Sequence, residues 1–443
     1  MRKMTEGSIT RHLLAYALPL ILGNFFQLTY NAVDSIVIGK FAGEQALAAV
    51  SAANPVMTIA ILGVSGLSIG ASVLMSRFYG AGEEGLLHRE VATTILFGAA
   101  ASLAVFAVGL PLTGPILSLM SVPAQILPMA RQYLRMIFVG FLFTFQYNIL
   151  AAALRSVGDS RAPVVFLAIS SVLNALLDVV FIALLGWGAA GAGAATVIAA
   201  AVSALLCAAY IQRRVPLLRM SIRDMRVDRE LLKQTLRSGS VTALQQACQP
   251  VGKVLIQSVI NAQGVGMIAA FNAVSRVDDF ACIPAQSISS GIMTCIAQNR
   301  GAKRDERVRE TLRRGLRLEL CYGAFICALT LLMRTTVMRL FAAQDSADMV
   351  RMGVDYLTMM AFFYFLPGMT NGMQGYFRGM GEMKTTLAGT AIQISIRAFV
   401  IWLLVPRIGL SGAALACAAG WSVMLVYIFF RYRAVQAKLR RAA

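Results

Sequence analysis

Asn24, Gln27, Asn31 and Asp34 recur at steps of three or four within the apolar stretch 13–38, so they line one face of a helix. A second apolar stretch, 162–185, carries Asn174 and Asp178, again four apart and on one face. A carboxylate at bilayer depth costs ~3 kcal/mol on insertion scales and normally faces a cavity and a partner. Two carboxylates in one apolar half of a chain repel each other unless a proton or a metal cation sits between them. The chemistry open to this set is reversible binding of a small cation inside a membrane. The competing reading is a satisfied polar network that only ties helices together.

The elements that must position these groups are membrane spans. Of 443 residues, 58% are hydrophobic, mean hydropathy is +0.69 and only 14% are charged, against ~25% in soluble domains. Apolar runs bounded by Gly, Pro and charge predict twelve spans: 13–37, 46–75, 91–113, 130–153, 162–185, 190–211, 237–260, 266–297, 312–333, 350–376, 384–405 and 409–431. The net charge of +19 raises nucleic-acid binding as a reading. The basic residues gather instead between or beyond spans: eight in 213–237, eight in 300–317 and five in 431–441. About thirty of the 40 Lys and Arg fall on one side of the predicted topology and about seven on the other. The positive-inside bias makes that side, with both termini, cytoplasmic, and nucleic acid is not an expected partner.

The remaining motifs carry little chemistry. Seven cysteines fall singly with no metal spacing, and His12 and His88 cannot build a site between them. The first apolar run is too long for a signal-peptide core, so none is expected. Gly186-x-Gly188-x-x-Gly191 fits a dinucleotide fingerprint, but both flanks are spans and not a strand and its helix, so tight turning and close helix packing account for it. Pro19, fifteen residues before Asp34, is a place where the first span can bend. The 22 Met and 23 Phe suit a re-packable binding surface or plain lipid-facing filler.

An internal repeat spans half the chain. Phe78-Tyr79-Gly80-Ala81 matches Asn299-Arg300-Gly301-Ala302, and Gly188-x-x-Gly191-Ala192 matches Gly409-x-x-Gly412-Ala413. Arg155-x-x-Gly158-Asp159-x-Arg161 matches Arg378-x-x-Gly381-Glu382-x-Lys384, 223 residues on. These two loops are expected to be interfacial turns with local ion pairs. Six spans per half, an even number, make this a parallel repeat with the substrate site expected between the halves. The predicted fold class is therefore all-α integral membrane, with 12 transmembrane helices in two pseudo-symmetric six-helix lobes. Residues 1–211 form the first lobe, 212–235 a basic cytoplasmic linker and 236–443 the second lobe.

Over its whole length the sequence resembles the multidrug and toxic compound extrusion (MATE) family. The likeness rests on the twelve spans, the Gly-Ala and Arg-x-x-Gly-acidic loops, and Arg276-x-Asp278-x5-Pro284, which is similar to a span-eight signature of bacterial members. Members with a first-lobe sodium or proton site use an Asp in span one, an Asn-x3-Asp pair in span five and a Thr in span six. Asp34, Asn174, Asp178 and Thr196 fill those places. The resemblance thus implies an antiporter that exports organic cations and other drugs against entering Na+ or H+. Na+ is taken as the metal that Asp34, Asn174, Asp178 and Thr196 would hold, and no cofactor beyond the coupling ion is expected. Asn31, Gln27, Gln246 and Gln249 are further candidates for a polar cavity.

The second lobe departs from the family pattern. Span seven has no carboxylate, the repeat puts Lys253 opposite Asp34 and Arg397 opposite Asn174, and Thr196 maps onto Cys417. A network of Lys253, Arg276, Asp278, Asp279 and Arg397 is expected to replace the ion permanently, leaving only the first lobe ion-driven. A lipid-linked precursor flippase of related architecture is the alternative within transport. A membrane prenyl transferase would need Asp-rich metal motifs on its loops, and these loops are basic, so an enzyme is not expected. Expected partners are small cationic organic molecules and membrane lipid, with a monomer in the inner or plasma membrane.

Overall fold

The structure is a computed structural model and describes residues 3–220, 225–341 and 347–442, without the side chains of 31 and 438–442. Among the described residues there is helix and no strand. Helix α1 (Ile9–Val37) runs through Pro19 into a π-helical turn, Ile38–Ala42. α2 (Gly43–Ala81), α3 (Glu84–Leu119), α4 (Leu127–Ser156) and α5 (Arg161–Asp178) follow. α5 continues as a second π-helical turn, Val179–Leu184, before α6 (Gly188–Arg214). The second half holds α7 (Arg229–Asn261), α8 (Val265–Gly301), α9 (Asp305–Phe341), α10 (Ala347–Phe363), α11 (Phe365–Gly379), α12 (Met383–Ile408) and α13 (Ser411–Ala442).

Twelve spans are recovered with two departures. The tenth expected span is two helices, α10 and α11, meeting at a 46° bend around Tyr364. Among the described residues, nine helical stretches are long and apolar enough to cross a bilayer, one of them the joined α1–α2 stretch Ile9–Ala81, or ten with the bent pair. α7 falls short because Gln245, Gln246, Gln249 and Lys253 dilute its apolar content. Outward faces are apolar, as lipid requires: Leu184, Leu332 and Trp402 are exposed by 74%, 82% and 63%.

The repeat has a backbone cause. Gly43, Gly158 and Gly188 have φ of 84°, 83° and 55°, and their partners Gly264, Gly381 and Gly409 have 98°, 77° and 66°. A side chain strains the left-handed region, so the turns that reverse the chain keep glycine at matching places in both halves. The expected ion pairs within the Arg-x-x-Gly-acidic loops do not form among the described residues. Asp159 Oδ1 instead accepts from the backbone N–H of Arg161 and Ala162, capping α5, while Oδ2 accepts from Tyr210.

The chain divides into two compact units. One gathers Leu18–Ala243 with Gly301–Lys303, the other Thr5–Ala17, Leu244–Arg300 and Arg304–Ala443. In the N-terminal unit α4 packs on α2, α3 and α6, with small residues at the crossings. A Cβ on Gly193 of α6 would lie 2.7 Å from that of Met136. In the C-terminal unit α12 packs on α13, and α9 on α10 and α11. Residues 221–224 of the expected linker lie outside the described residues. Its remainder docks on α3: Asp228 N–H donates to Thr93 at 2.9 Å, and Thr235 donates to the buried Glu90 at 2.5 Å.

Candidate cation site

α1, α5 and α6 of the N-terminal unit bring the predicted residues together. Asp178 is the last residue of α5 before its π-helical turn, and Asp34 stands one turn before the π-helical turn that ends α1. The two turns pack on each other. π-helical turns interrupt regular hydrogen bonding and recur at functional sites. Here one follows directly on Asp178 and the other begins one helical turn after Asp34.

The carboxyl groups of Asp34 and Asp178 lie within hydrogen-bonding reach of each other. Asp178 is fully buried and Asn174, one turn before it, is 1% exposed. Asp34 Oδ1, both Asp178 oxygens and both Asn174 amide atoms are buried with no hydrogen-bond partner. Thr196 Oγ1 donates to the carbonyl of Ala192 at 3.0 Å, and its side chain also meets the hydroxyl of Tyr30. Tyr133 stands close to both carboxylates. A cavity of about 270 Å³ opens beside this cluster, with Asn24, Gln27, Tyr30, Asn174 and Thr196 among its lining residues. Asp34 and Asp178 do not line it and sit one helical turn beyond.

Buried polar atoms are almost always paired, so five unpartnered ones in one cluster set this place apart from the rest of the N-terminal unit. Two carboxylates and an amide oxygen offer hard donors, which suit a proton or a small hard cation. These residues therefore fit the coupling ion that the sequence implies.

The remaining candidates separate. Gln27 lines the cavity, and the Asn31 side chain lies outside the described residues. Gln246 is half-buried and Gln249 exposed. The buried glutamine of α7 is Gln245. Its amide donates to Gln374 at 2.7 Å and Thr390 at 3.0 Å, and its Oε1 accepts from Arg378 and Thr386. In the C-terminal unit Lys253 pairs with Asp279 at 2.9 Å. Asp278 accepts from Tyr356 at 2.5 Å and Tyr364 at 2.7 Å, with Arg397 in electrostatic range. Arg276 is exposed and makes no ion pair among the described residues. The five expected network residues thus form one ion pair, one tyrosine-bound carboxylate beside an arginine, and one outlier.

Sequence reasoning missed Tyr30, Tyr133, Glu90 and Glu319. Tyr30 was accessible, since it stands four residues before Asp34. Tyr133 comes from α4, and nothing in the spacing links it to α1.

Apolar helices that bury a pair of facing carboxylates within the N-terminal unit are the features of an integral membrane protein, and the family match supplies its class: a transporter and not an enzyme. The chain belongs to the MatE family, whose model matches residues 19–180 and again 242–403, once in each half. It is 27% identical to the probable multidrug resistance protein YpnP of Bacillus subtilis, with 98% of each chain covered. With the probable multidrug resistance protein NorM of Thermotoga maritima it shares 24% identity over 96% of this chain and 90% of that one. A solved structure described as the outward-facing conformation of a multidrug resistance MATE family transporter overlays with a TM-score of 0.91. It covers 99% of this chain and 98% of that one at 23% identity, a likeness of fold.

Proposed function

We propose that the protein is a secondary active antiporter of the cell membrane that exports organic cations in exchange for Na+ or H+ by alternating access. The observation that carries the reading is the facing pair of half-buried Asp34 and fully buried Asp178, with Asp34 Oδ1 and both Asp178 oxygens lacking a donor beside Asn174. Two bare charges ~4 Å apart repel by about 4 kcal/mol at an effective dielectric near 20, close to three decades in an equilibrium constant. A cation or proton between them removes that repulsion and lets α1 and α5 stay together, and its departure favours their separation. An ion shifts the equilibrium only through such a difference in affinity between two states.

Asp34 and Asp178 carry the exchangeable ion in this reading. Asn174 and Thr196 supply neutral oxygens, and Tyr30 orients Thr196. The 270 Å³ cavity lined by Asn174 and Thr196 is the ion's route. Lys253 and Arg397 act as fixed charges in the C-terminal unit. Both termini lie in the cytoplasm and the protein works as a monomer. Relatives named as multidrug resistance proteins support small organic substrates. The flippase alternative is not favoured, because the family match and these relatives point to multidrug export.

The test is efflux of a fluorescent organic cation from everted vesicles, with sodium and pH gradients imposed separately. Dependence on one gradient, lost in Asp34→Asn, is expected. Efflux indifferent to both gradients would refute antiport.

A further inference from the structure

Glu319 lies in the interior of α9, far from the Asp34–Asp178 pair in sequence. It is fully buried, and neither carboxylate oxygen has a hydrogen-bond partner. The wall facing it is α11. A Cβ on Gly368 would come within 3.2 Å of Glu319 Oε2, and one on Gly372 within 3.4 Å of its Cγ. One turn along α9, Gly323 meets Phe365 so closely that a Cβ there would fall 2.8 Å from the Phe365 Cα. The Glu319–Gly323 row of α9 thus lies flat on the start of α11, just past the 46° bend from α10.

Among the described residues no charged side chain stands in electrostatic range of Glu319 to balance a negative charge. The titratable neighbour is Tyr322 on its own helix, and that hydroxyl donates to the carbonyl of Ala281 at 2.7 Å. On α11, Thr370 and Asn371 both donate to the carbonyl of Pro367. A second oxygen cluster that could hold a metal ion is absent as well, since among the described residues no three His, Cys, Asp or Glu side chains come together. A buried carboxylate with no partner is far costlier than the neutral acid. An ionisable group at membrane depth also marks function by default.

We infer that Glu319 is a proton-binding site of the C-terminal unit, holding its proton while α11 lies against α9 and releasing it when α11 swings away at the Tyr364 bend. Ionisation needs water, and the glycine-lined contact excludes water until the helices part. The proton on Glu319 therefore reports and biases the position of α11. This reading is independent of the Asp34–Asp178 pair and adds a protonation step to a unit whose other charges are fixed.

The test uses the full-length protein in lipid nanodiscs, comparing wild type with Glu319→Gln, an isostere of the protonated acid that keeps the packing. Infrared difference spectra on raising the pH should show loss of the carbonyl band of a poorly hydrogen-bonded carboxylic acid. That band should be missing in Glu319→Gln and kept in the Asp34→Asn/Asp178→Asn double variant. Amide hydrogen exchange across 365–379 should be several-fold faster in wild type than in Glu319→Gln at alkaline pH, and equal near neutrality. A band unchanged by Glu319→Gln, or exchange identical in both proteins at every pH, would overturn the inference. Gradient-driven efflux lost in Asp34→Asn while these two readouts behave as expected separates this site from the coupling pair.

Discussion

Asp34 and Asp178 illustrate how much a pair of residue types can say. Each is an acidic side chain in an apolar run, which is costly alone, and each has a polar neighbour one helical turn away. Asn substitutions keep the shape and remove the charge, so Asp34→Asn and Asp178→Asn should each lower gradient-driven efflux about tenfold or more, equivalent to at least ~1.4 kcal/mol. Initial efflux rates at matched protein levels measure this, and wild-type rates in both variants would remove the site. Gln245 makes a different kind of prediction. Its amide serves Gln374, Thr390, Arg378 and Thr386 at once, so Gln245→Leu strands several buried polar groups. A stability loss of about 2–5 kcal/mol is expected, read as a lower Tm in detergent. That each acidic residue lies on a polar face of its helix was legible from the spacing, while the joining of α1 with α5 was implied by the resemblance to the MATE family. The roles of Tyr133 and Gln245 were not legible, because they depend on which helices become neighbours.

At the scale of elements, the positive-φ glycines decide where helices end. Gly381 has φ of 77° between α11 and α12, so Gly381→Ala forces a side chain into the left-handed region at about 1–2 kcal/mol. Gly85 lies inside α3 with open space around its Cβ position, and Gly85→Ala should instead stabilise by ~0.5–1 kcal/mol through lower unfolded-state entropy. Thermal unfolding of the two variants in parallel should move Tm in opposite directions; equal shifts would contradict the backbone account of the repeat. The repeat was visible in sequence for this reason: chain reversal constrains residue identity. The division of the tenth span into α10 and α11 was not drawn from its hydropathy, since 350–376 reads as one apolar run, but it has a local cause: Pro367 has no N–H to donate to the carbonyl of Phe363, where α10 ends.

For the whole molecule, the two halves share a backbone plan and differ in charge. The N-terminal unit sets Asp34 and Asp178 against each other, while the C-terminal unit places Lys253 on Asp279 and tyrosine hydroxyls on Asp278 and buries Glu319 alone. The Lys253–Asp279 pair is more than half exposed, and exposed pairs are worth only ~0–1 kcal/mol. Asp279→Asn is therefore expected to leave ion coupling intact and to change Tm little. Transport that survives Asp34→Asn and Asp178→Asn but disappears on neutralising Asp278 would reverse the assignment of ion coupling to the first unit. Twelve spans and their pairing by repeat follow from hydropathy and turn chemistry, whereas the charge asymmetry rests on single side chains within that shared plan.

The most direct measurement is ligand-linked stability of the purified protein, with Tm recorded across sodium concentration and pH for wild type and the Asp34→Asn/Asp178→Asn double variant. A cation that binds only the folded pair raises stability by RT ln(1 + [L]/Kd). The expected result is a rise in wild-type Tm with added Na+ or with falling pH that disappears in the double variant. An equal rise in both proteins would contradict the claim that Asp34 and Asp178 hold the coupling ion.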